Sequence, residues 1–154
     1  MHGKGSSKYD NVRVGMNSRL DTIQAAVLLA KMDLLDTEMD KRQEVAARYW
    51  KAFEGKIQTP KITKDSTSSF AQFVLIAESE EQRDHAVASM KENGVPSLVY
   101  YPKPLHQMKA FSSSAVQSFP NAEHYAQCNF GIPFSPYITV EEQEEVVSAV
   151  LAAL

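Results

Sequence analysis

The sequence lacks several features that mark particular classes of protein. It has one cysteine, Cys128, so it cannot form an internal disulfide, which fits a reducing compartment. No apolar run approaches the roughly 20 residues needed to span a bilayer, and the first residues lack the apolar core of a signal peptide. These absences predict a cytoplasmic protein without a membrane segment, in which Cys128 is a small buried residue.

Strong positive charge and metal-binding patterns are also missing. The 16 Lys+Arg and 19 Asp+Glu residues give a net charge of -3, and no Lys/Arg run exceeds two residues. This balance argues against nucleic acid as a partner. The four histidines lack zinc-site spacing and no cysteine pair exists, so we expect no metal. The glycine-rich motifs of dinucleotide and triphosphate sites and the G-x-S-x-G motif of serine hydrolases are absent.

A helical pattern dominates the first third of the chain. The 154 residues, 44% of them hydrophobic, are enough for a packed core. Apolar residues recur at steps of three and four from Leu20 onward, which predicts a helix over residues 18 to about 53, with Ser18 as N-cap and Gly55 after its end. Such a helix has about 35 residues and a length of about 50 Å. We expect a partner subunit or a further domain to cover part of its apolar face.

The rest of the sequence alternates short extended segments with helices. Strands are predicted at residues 70–77 and 95–101, around a helix that a Ser79–Gln82 capping box begins, and together they make a β-α-β unit. A short helix at residues 120–128, a weak extended segment at residues 130–133 and a last helix begun by Thr139 and Glu142 follow. The predicted fold class is α+β, a small sheet covered by helices with a long leading helix.

Two stretches suit ligand binding. Asn17, Ser18 and Arg19 stand at a predicted helix start, where free backbone amides favour an anion such as phosphate. The alternative is that Asn17 and Ser18 only cap the helix. Further along, Tyr100 and Tyr101 precede a lysine and His106 at the end of a predicted strand, where prolines fix the exit and polar side chains suit a site. The alternative there is a tyrosine pair packed in the core.

Read together, the two stretches resemble the DegT/DnrJ/EryC1/StrS family of sugar aminotransferases, which are fold-type I enzymes dependent on pyridoxal 5'-phosphate. The resemblance rests on GMNSRLDTIQAAVL at residues 15–28, RD at 83–84, YPKPLH at 101–106 and FPNAE at 119–123. Full members of the family are longer, and this chain is similar to their C-terminal part. The resemblance implies the end of a large domain with a connecting helix at residues 1–55, and a small C-terminal α/β domain at residues 56–154.

The resemblance also implies roles for particular residues. Asn17 matches an asparagine that reaches the cofactor phosphate of the neighbouring subunit, and Arg19 matches an arginine that steadies the phosphates of a nucleotide-sugar substrate. Tyr100 and Tyr101 match a pair, often His-Tyr in the family, that faces the sugar, and His106 matches a pocket-wall histidine. None of the eleven lysines lies in the family's S-F-x-x-x-K context. The Schiff-base lysine is therefore expected upstream, this chain has no catalytic residue, and alone it should not transaminate.

The implied reaction moves an amino group, usually from glutamate, to a keto group of a nucleotide-linked sugar for cell-surface polysaccharide biosynthesis, in a homodimer. Two alternatives stay open at this point. The chain could be a non-catalytic binding or oligomerisation module, or part of the family's pyridoxal-phosphate-dependent sugar dehydratases, in which a histidine replaces the cofactor lysine.

Overall fold

The computed structural model describes residues 3–6, 10–15, 20–111 and 118–154. The chain divides into two compact units. Unit 1 comprises Met1–Asp33 and Tyr101–Gln127, and unit 2 comprises Leu34–Tyr100 and Cys128–Leu154. These units are not the domains that the family resemblance implies, and the domain division at residue 55 stays a prediction.

The elements of the described residues confirm an α+β fold. The α-helices are α1 (Thr22–Met32), α2 (Leu35–Phe53), α3 (Glu80–Glu92), α4 (Pro120–Cys128) and α5 (Val140–Leu151). The strands are β1 (Phe73–Ile76) and β2 (Asn129–Ile132), and two short 3-10 turns span Leu105–Gln107 and Lys109–Phe111.

The predicted single leading helix is wrong, because two helices replace it. A turn at Asp33 and Leu34 separates α1 from α2, and α2 begins with the bond from the Glu38 amide to the Leu34 carbonyl. The backbone at Asp33 nevertheless stays near helical values, with φ -64° and ψ -20°. The apolar spacing therefore continues across the turn, and periodicity alone cannot reveal the interruption.

The start of α1 also differs from the prediction. Asp21 is the N-cap, and its carboxylate accepts a hydrogen bond of 2.9 Å from the Gln24 amide. Ser18, the predicted cap, lies outside the described residues. Leu20, directly before the cap, has a φ of 96°, a region that L-residues rarely adopt.

The core of unit 2 forms where α2 meets the sheet. The buried residues of α2 are Val45, Ala46, Tyr49 and Phe53. They share one face of the helix, and Tyr49 contacts Phe73 of β1 with ring centroids 5.3 Å apart. β1 and β2 pair antiparallel, with Phe73 opposite Ile132. α2 ends where Gly55 takes a φ of +69°, as the sequence predicts.

The predicted β-α-β unit is wrong, since β1 pairs with β2, the segment predicted only weakly. In the predicted strand at residues 95–101, only Leu98 pairs, in an isolated antiparallel bridge with Gly131. Two features stop the ladder there. Pro96 has no amide hydrogen to donate, and the amide of Tyr100 donates to the side chain of Asn129.

α3 and α5 begin close to where the sequence predicts. Thr139 and Glu142 form the complete capping box at α5. At α3 the Ser79 hydroxyl accepts from the Gln82 amide, but the Gln82 side chain accepts from the amide of Glu78 rather than that of Ser79. Both helices bury apolar residues, namely Ala86, Met90, Val146, Ala149 and Val150.

Unit 1 contains one helix with an unusual surface. α1 has no buried residue, although most of its side chains are apolar. Ile23 is 79% exposed, and Val27, Leu28, Leu29 and Met32 are exposed as well. We call these five side chains the α1 apolar surface. None of the described helices is long and apolar enough to cross a membrane.

The hydroxyl of Tyr49 generates a prediction about pH. It donates a 2.8 Å hydrogen bond to the Pro133 carbonyl, and burial raises the pKa of Tyr49 to about 12. The unfolded chain loses this proton near pH 10, so the stabilisation is complete below about pH 10 and is lost as the pH rises toward 12. Between about pH 10 and pH 12, the free energy of unfolding of the wild type should therefore fall by up to about 2–3 kcal/mol relative to that of Tyr49→Phe.

Urea denaturation of both proteins at several pH values measures this difference. If the difference between wild type and Tyr49→Phe is the same at pH values below and above the window, the tyrosine is not buried in its neutral form.

Candidate functional site

The two residues predicted to bind phosphate lie outside the described residues. Asn17 and Arg19 fall in the gap between residues 15 and 20, so their predicted roles stay predictions. The adjoining residues modify the physical argument for an anion there. The Asp21 carboxylate occupies the Gln24 amide and places negative charge at the start of α1. A phosphate at this end would therefore depend on the Asn17 and Arg19 side chains more than on the helix amides.

Tyr100 is held by β2 in unit 2. Its amide donates to the Asn129 Oδ1 at 2.6 Å, and Asn129 is buried. Its ring lies over Gly131, where a Cβ would come within 2.6 Å of the Tyr100 Cε2. The Asn129 side chain therefore fixes the backbone of Tyr100, and the missing side chain at Gly131 leaves room for the Tyr100 ring.

A cavity of about 210 Å³ lies beside the half-buried Tyr100 ring. Its lining includes Pro96, Leu98, Pro133 and Phe134. Small-molecule sites usually measure about 300–1,000 Å³, so this cavity can accept only part of a larger ligand. The apolar walls and the phenol suit one face of a sugar ring, with the hydroxyl as its polar contact.

The other two predicted residues belong to unit 1. Tyr101 is 56% exposed. His106 lies on the 3-10 turn Leu105–Gln107, which follows Pro104, and its side chain is half-buried. The structure thus places the adjacent tyrosines in different compact units, with Tyr100 held by β2, while Tyr101 and His106 share unit 1.

His106 is joined to the start of α4. Its Nε2 lies 2.9 Å from the Glu123 Oε1, and its ring centroid is 4.9 Å from that of Phe119. The same Glu123 oxygen accepts a 2.9 Å hydrogen bond from the Phe119 amide. That backbone bond, together with the contact to His106, holds the pKa of the Glu123 carboxyl below its usual range.

The sequence does not predict the roles of three residues that position these side chains. Glu123 belongs to the FPNAE motif, and a carboxylate just inside a helix start commonly accepts hydrogen bonds from backbone amides there. Gly131 lies in the buried strand Asn129–Ile132, and a lone glycine in a strand signals close approach of another group. The role of Asn129 had no signal of its own, because its partner lies 29 residues away along the chain.

The lysines and Cys128 are further candidates for covalent chemistry among the described residues. All ten described lysines are exposed. Cys128 is buried, and burial raises the pKa of its thiol, so it is no ready nucleophile. In the part of the chain that the structure describes, no group of three His, Cys, Asp or Glu residues could hold a metal ion.

Comparison with known proteins identifies the class. The sequence model of the DegT/DnrJ/EryC1/StrS aminotransferase family matches residues 1–151. The chain is 36% identical over 93% of its length to the dTDP-3-amino-3,6-dideoxy-alpha-D-galactopyranose transaminase of Aneurinibacillus thermoaerophilus, covering 39% of that protein. It is also 36% identical over 89% of its length to the UDP-2-acetamido-2-deoxy-3-oxo-D-glucuronate aminotransferase of Pseudomonas aeruginosa, covering 37% of it.

A solved structure shows the same fold. A DegT DnrJ EryC1 StrS aminotransferase from Brucella abortus superposes with a TM-score of 0.79 at 37% identity, over 98% of this chain and 40% of that one. The chain therefore belongs to the DegT/DnrJ/EryC1/StrS aminotransferase family, whose aminotransferases use pyridoxal 5'-phosphate as cofactor. It spans about 40% of the length of the relatives that it matches.

The fit between Gly131 and Tyr100 can be tested by substitution. Gly131→Ala places a Cβ 2.6 and 2.8 Å from two Tyr100 ring atoms, closer than real contacts allow. We expect the free energy of unfolding to fall by about 1–3 kcal/mol, as for other overpacked sites. In a Tyr100→Ala background, the same substitution should cost clearly less, because the ring is gone.

Chemical denaturation of the four proteins of this cycle measures the coupling. An equal cost of Gly131→Ala in both backgrounds would mean that the Leu98 carbonyl, 3.3 Å from the added carbon, sets the requirement instead.

Proposed function

We propose that this chain is the C-terminal part of a pyridoxal-phosphate-dependent aminotransferase acting on a nucleotide-linked sugar. The complete enzyme moves an amino group, from glutamate, to a keto group of the sugar, within cell-surface polysaccharide synthesis. The observation that carries this proposal is the match over residues 1–151 together with 36% identity to two relatives named as dTDP- and UDP-sugar aminotransferases.

The bound cofactor would supply an electron sink for amino transfer. The residues of this chain bind and orient around it. Asn17 contacts the cofactor phosphate of the neighbouring subunit, and Arg19 contacts the phosphates of the nucleotide, where a guanidinium gives charge-assisted hydrogen bonds. Tyr100, Tyr101 and His106 face the sugar. The support for Tyr100 and His106 is that β2 and Glu123 hold them in fixed orientations.

The cofactor lysine belongs, in this proposal, to a part of the enzyme upstream of the family motif at residues 15–28. The support for this assignment is that none of the eleven lysines lies in the family's S-F-x-x-x-K context. The 154-residue chain by itself is then inactive.

The α1 apolar surface supports a homodimer. Five exposed apolar side chains on a helix with no buried residue form a surface that soluble proteins normally cover. We assign its cover to the remainder of the large domain and to the partner subunit, in an assembly that works in the cytoplasm.

The test is an amino-transfer assay with two protein samples. One is the intact protein, captured from its source cells with an antibody to this chain, and the other is the recombinant 154-residue chain. Both receive pyridoxal phosphate, glutamate and a set of dTDP- and UDP-linked keto sugars. The intact protein should form 2-oxoglutarate and amino sugar in equal amounts, whereas the recombinant chain should form neither.

The other outcomes separate the alternatives. A deoxy sugar without an amino group, formed together with 2-oxoglutarate and free ammonia, would identify the sugar dehydratase instead, because glutamate then supplies the two electrons that replace a hydroxyl by hydrogen. An intact protein no larger than the recombinant chain, without activity in any assay, would leave a binding or oligomerisation module.

A further inference from the structure

We propose that Glu123 is a positioning residue that fixes His106 with its proton on Nε2, so that Nδ1 is presented as a hydrogen-bond acceptor for a hydroxyl group of the sugar. The second half of this statement rests on the proposed function. The first half concerns only the pair itself, and it stands on the geometry at the start of α4.

The proton assignment follows from the two groups that share one oxygen. The Glu123 Oε1 accepts from the Phe119 amide at 2.9 Å, which can only donate. The same oxygen lies 2.9 Å from the His106 Nε2. An ionised carboxylate has no proton to give, so the imidazole must be the donor in this contact. A neutral His106 therefore carries its hydrogen on Nε2 and a lone pair on Nδ1.

Two further contacts fix the orientation of the ring. The His106 ring packs on Phe119, with centroids 4.9 Å apart, and the His106 and Glu123 side chains are only 21% and 29% exposed. The backbone beneath the ring is closed by the bond from the Gln107 amide to the Pro104 carbonyl. The His106 ring is thus held by its packing on Phe119, by the hydrogen bond at Nε2 and by the closed backbone turn.

The remaining ring nitrogen has no assigned use. Within the described residues, Nδ1 of His106 makes no hydrogen bond, although the ring is held at three points. A lone pair held in a fixed direction accepts a hydroxyl hydrogen without the entropy cost of ordering the ring. Sugar hydroxyls are donors of this kind, and a site that hydrogen-bonds a hydroxyl rejects an analogue that lacks it.

The variants Glu123→Ala and Glu123→Gln separate positioning from charge. Glutamine keeps an oxygen that can accept from both the Phe119 amide and the His106 Nε2, so α4 keeps its start and the ring its orientation. Alanine removes the acceptor for both. Circular dichroism and thermal unfolding establish that each variant is folded. If Glu123→Ala does not fold, the comparison of wild type with Glu123→Gln still tests the proposal.

The first readout is the proton position, taken from long-range ¹H–¹⁵N spectra of the 154-residue chain at about pH 8.5, where an ordinary imidazole is neutral. The His106 signals are assigned by their loss in His106→Gln. Wild type and Glu123→Gln should show the Nε2–H form. In Glu123→Ala the two ¹⁵N shifts should move toward each other, because both forms become populated. An Nδ1–H form in wild type, or identical shifts in all three proteins, overturns the assignment.

The second readout is the KM of the intact enzyme for its nucleotide sugar. Glu123→Ala should raise KM on the order of tenfold with little change in kcat, and Glu123→Gln should restore it to within about twofold. In a His106→Gln background, Glu123→Ala should have no further effect. An unchanged KM beside the expected NMR result overturns the role toward the sugar. If the intact enzyme transfers no amino group, the proposed function is refuted instead. The NMR spectra still test the hydrogen bond between His106 and Glu123.

Discussion

Unit 2 depends on the contact between the buried face of α2 and the short sheet. Tyr49 lies at its centre, 5.3 Å from Phe73 and 5.9 Å from Phe53 between ring centroids, and Phe73 stacks in turn on Phe134 at 5.8 Å. The Tyr49 hydroxyl also bonds the Pro133 carbonyl, so the residue that follows β2 is attached to the helix. A two-stranded sheet is marginal by itself, and this aromatic cover is what stabilises it.

The last helix, α5, is attached to the same contact. Gln143 of α5 is buried, and it donates to the Val45 carbonyl of α2 while accepting from Arg48. The β2 strand that α2 covers also carries Asn129 and Gly131, which hold Tyr100. A candidate substrate contact is therefore fixed by the core of unit 2 rather than by a mobile loop. α1 is the opposite case, since no residue of this helix is buried.

The sequence predicted best what local signals determine. The Thr139–Glu142 capping box marks a helix start, and Gly55, whose φ is positive, follows a helix end; the structure confirms both. The strand at residues 95–101 was wrong because pairing is non-local. β1 takes its partner from residues 129–132, and the Asn129 side chain occupies the Tyr100 amide. The turn at Asp33 was missed because a near-helical residue does not disturb apolar spacing.

For the candidate site, the sequence indicated Tyr100 and His106 but not what holds them. A phenol and an imidazole near prolines form a pattern visible in sequence, whereas Glu123 and Asn129 gain their roles from partners 17 and 29 residues away. Asn17 and Arg19 lie outside the described residues, so their assignment depends on the family resemblance.

Unit 2 has a core of its own, whereas no residue of α1 is buried, so we expect α1 to depend on cover from the rest of the proposed enzyme. Amide hydrogen exchange of the dilute 154-residue chain tests this most directly. We predict protection of the α2 amides at Val45 to Phe53 at least about 100-fold stronger than that of the α1 amides at Thr22 to Met32. Equal protection of the two helices would contradict the account, because α1 would then be stable without a partner.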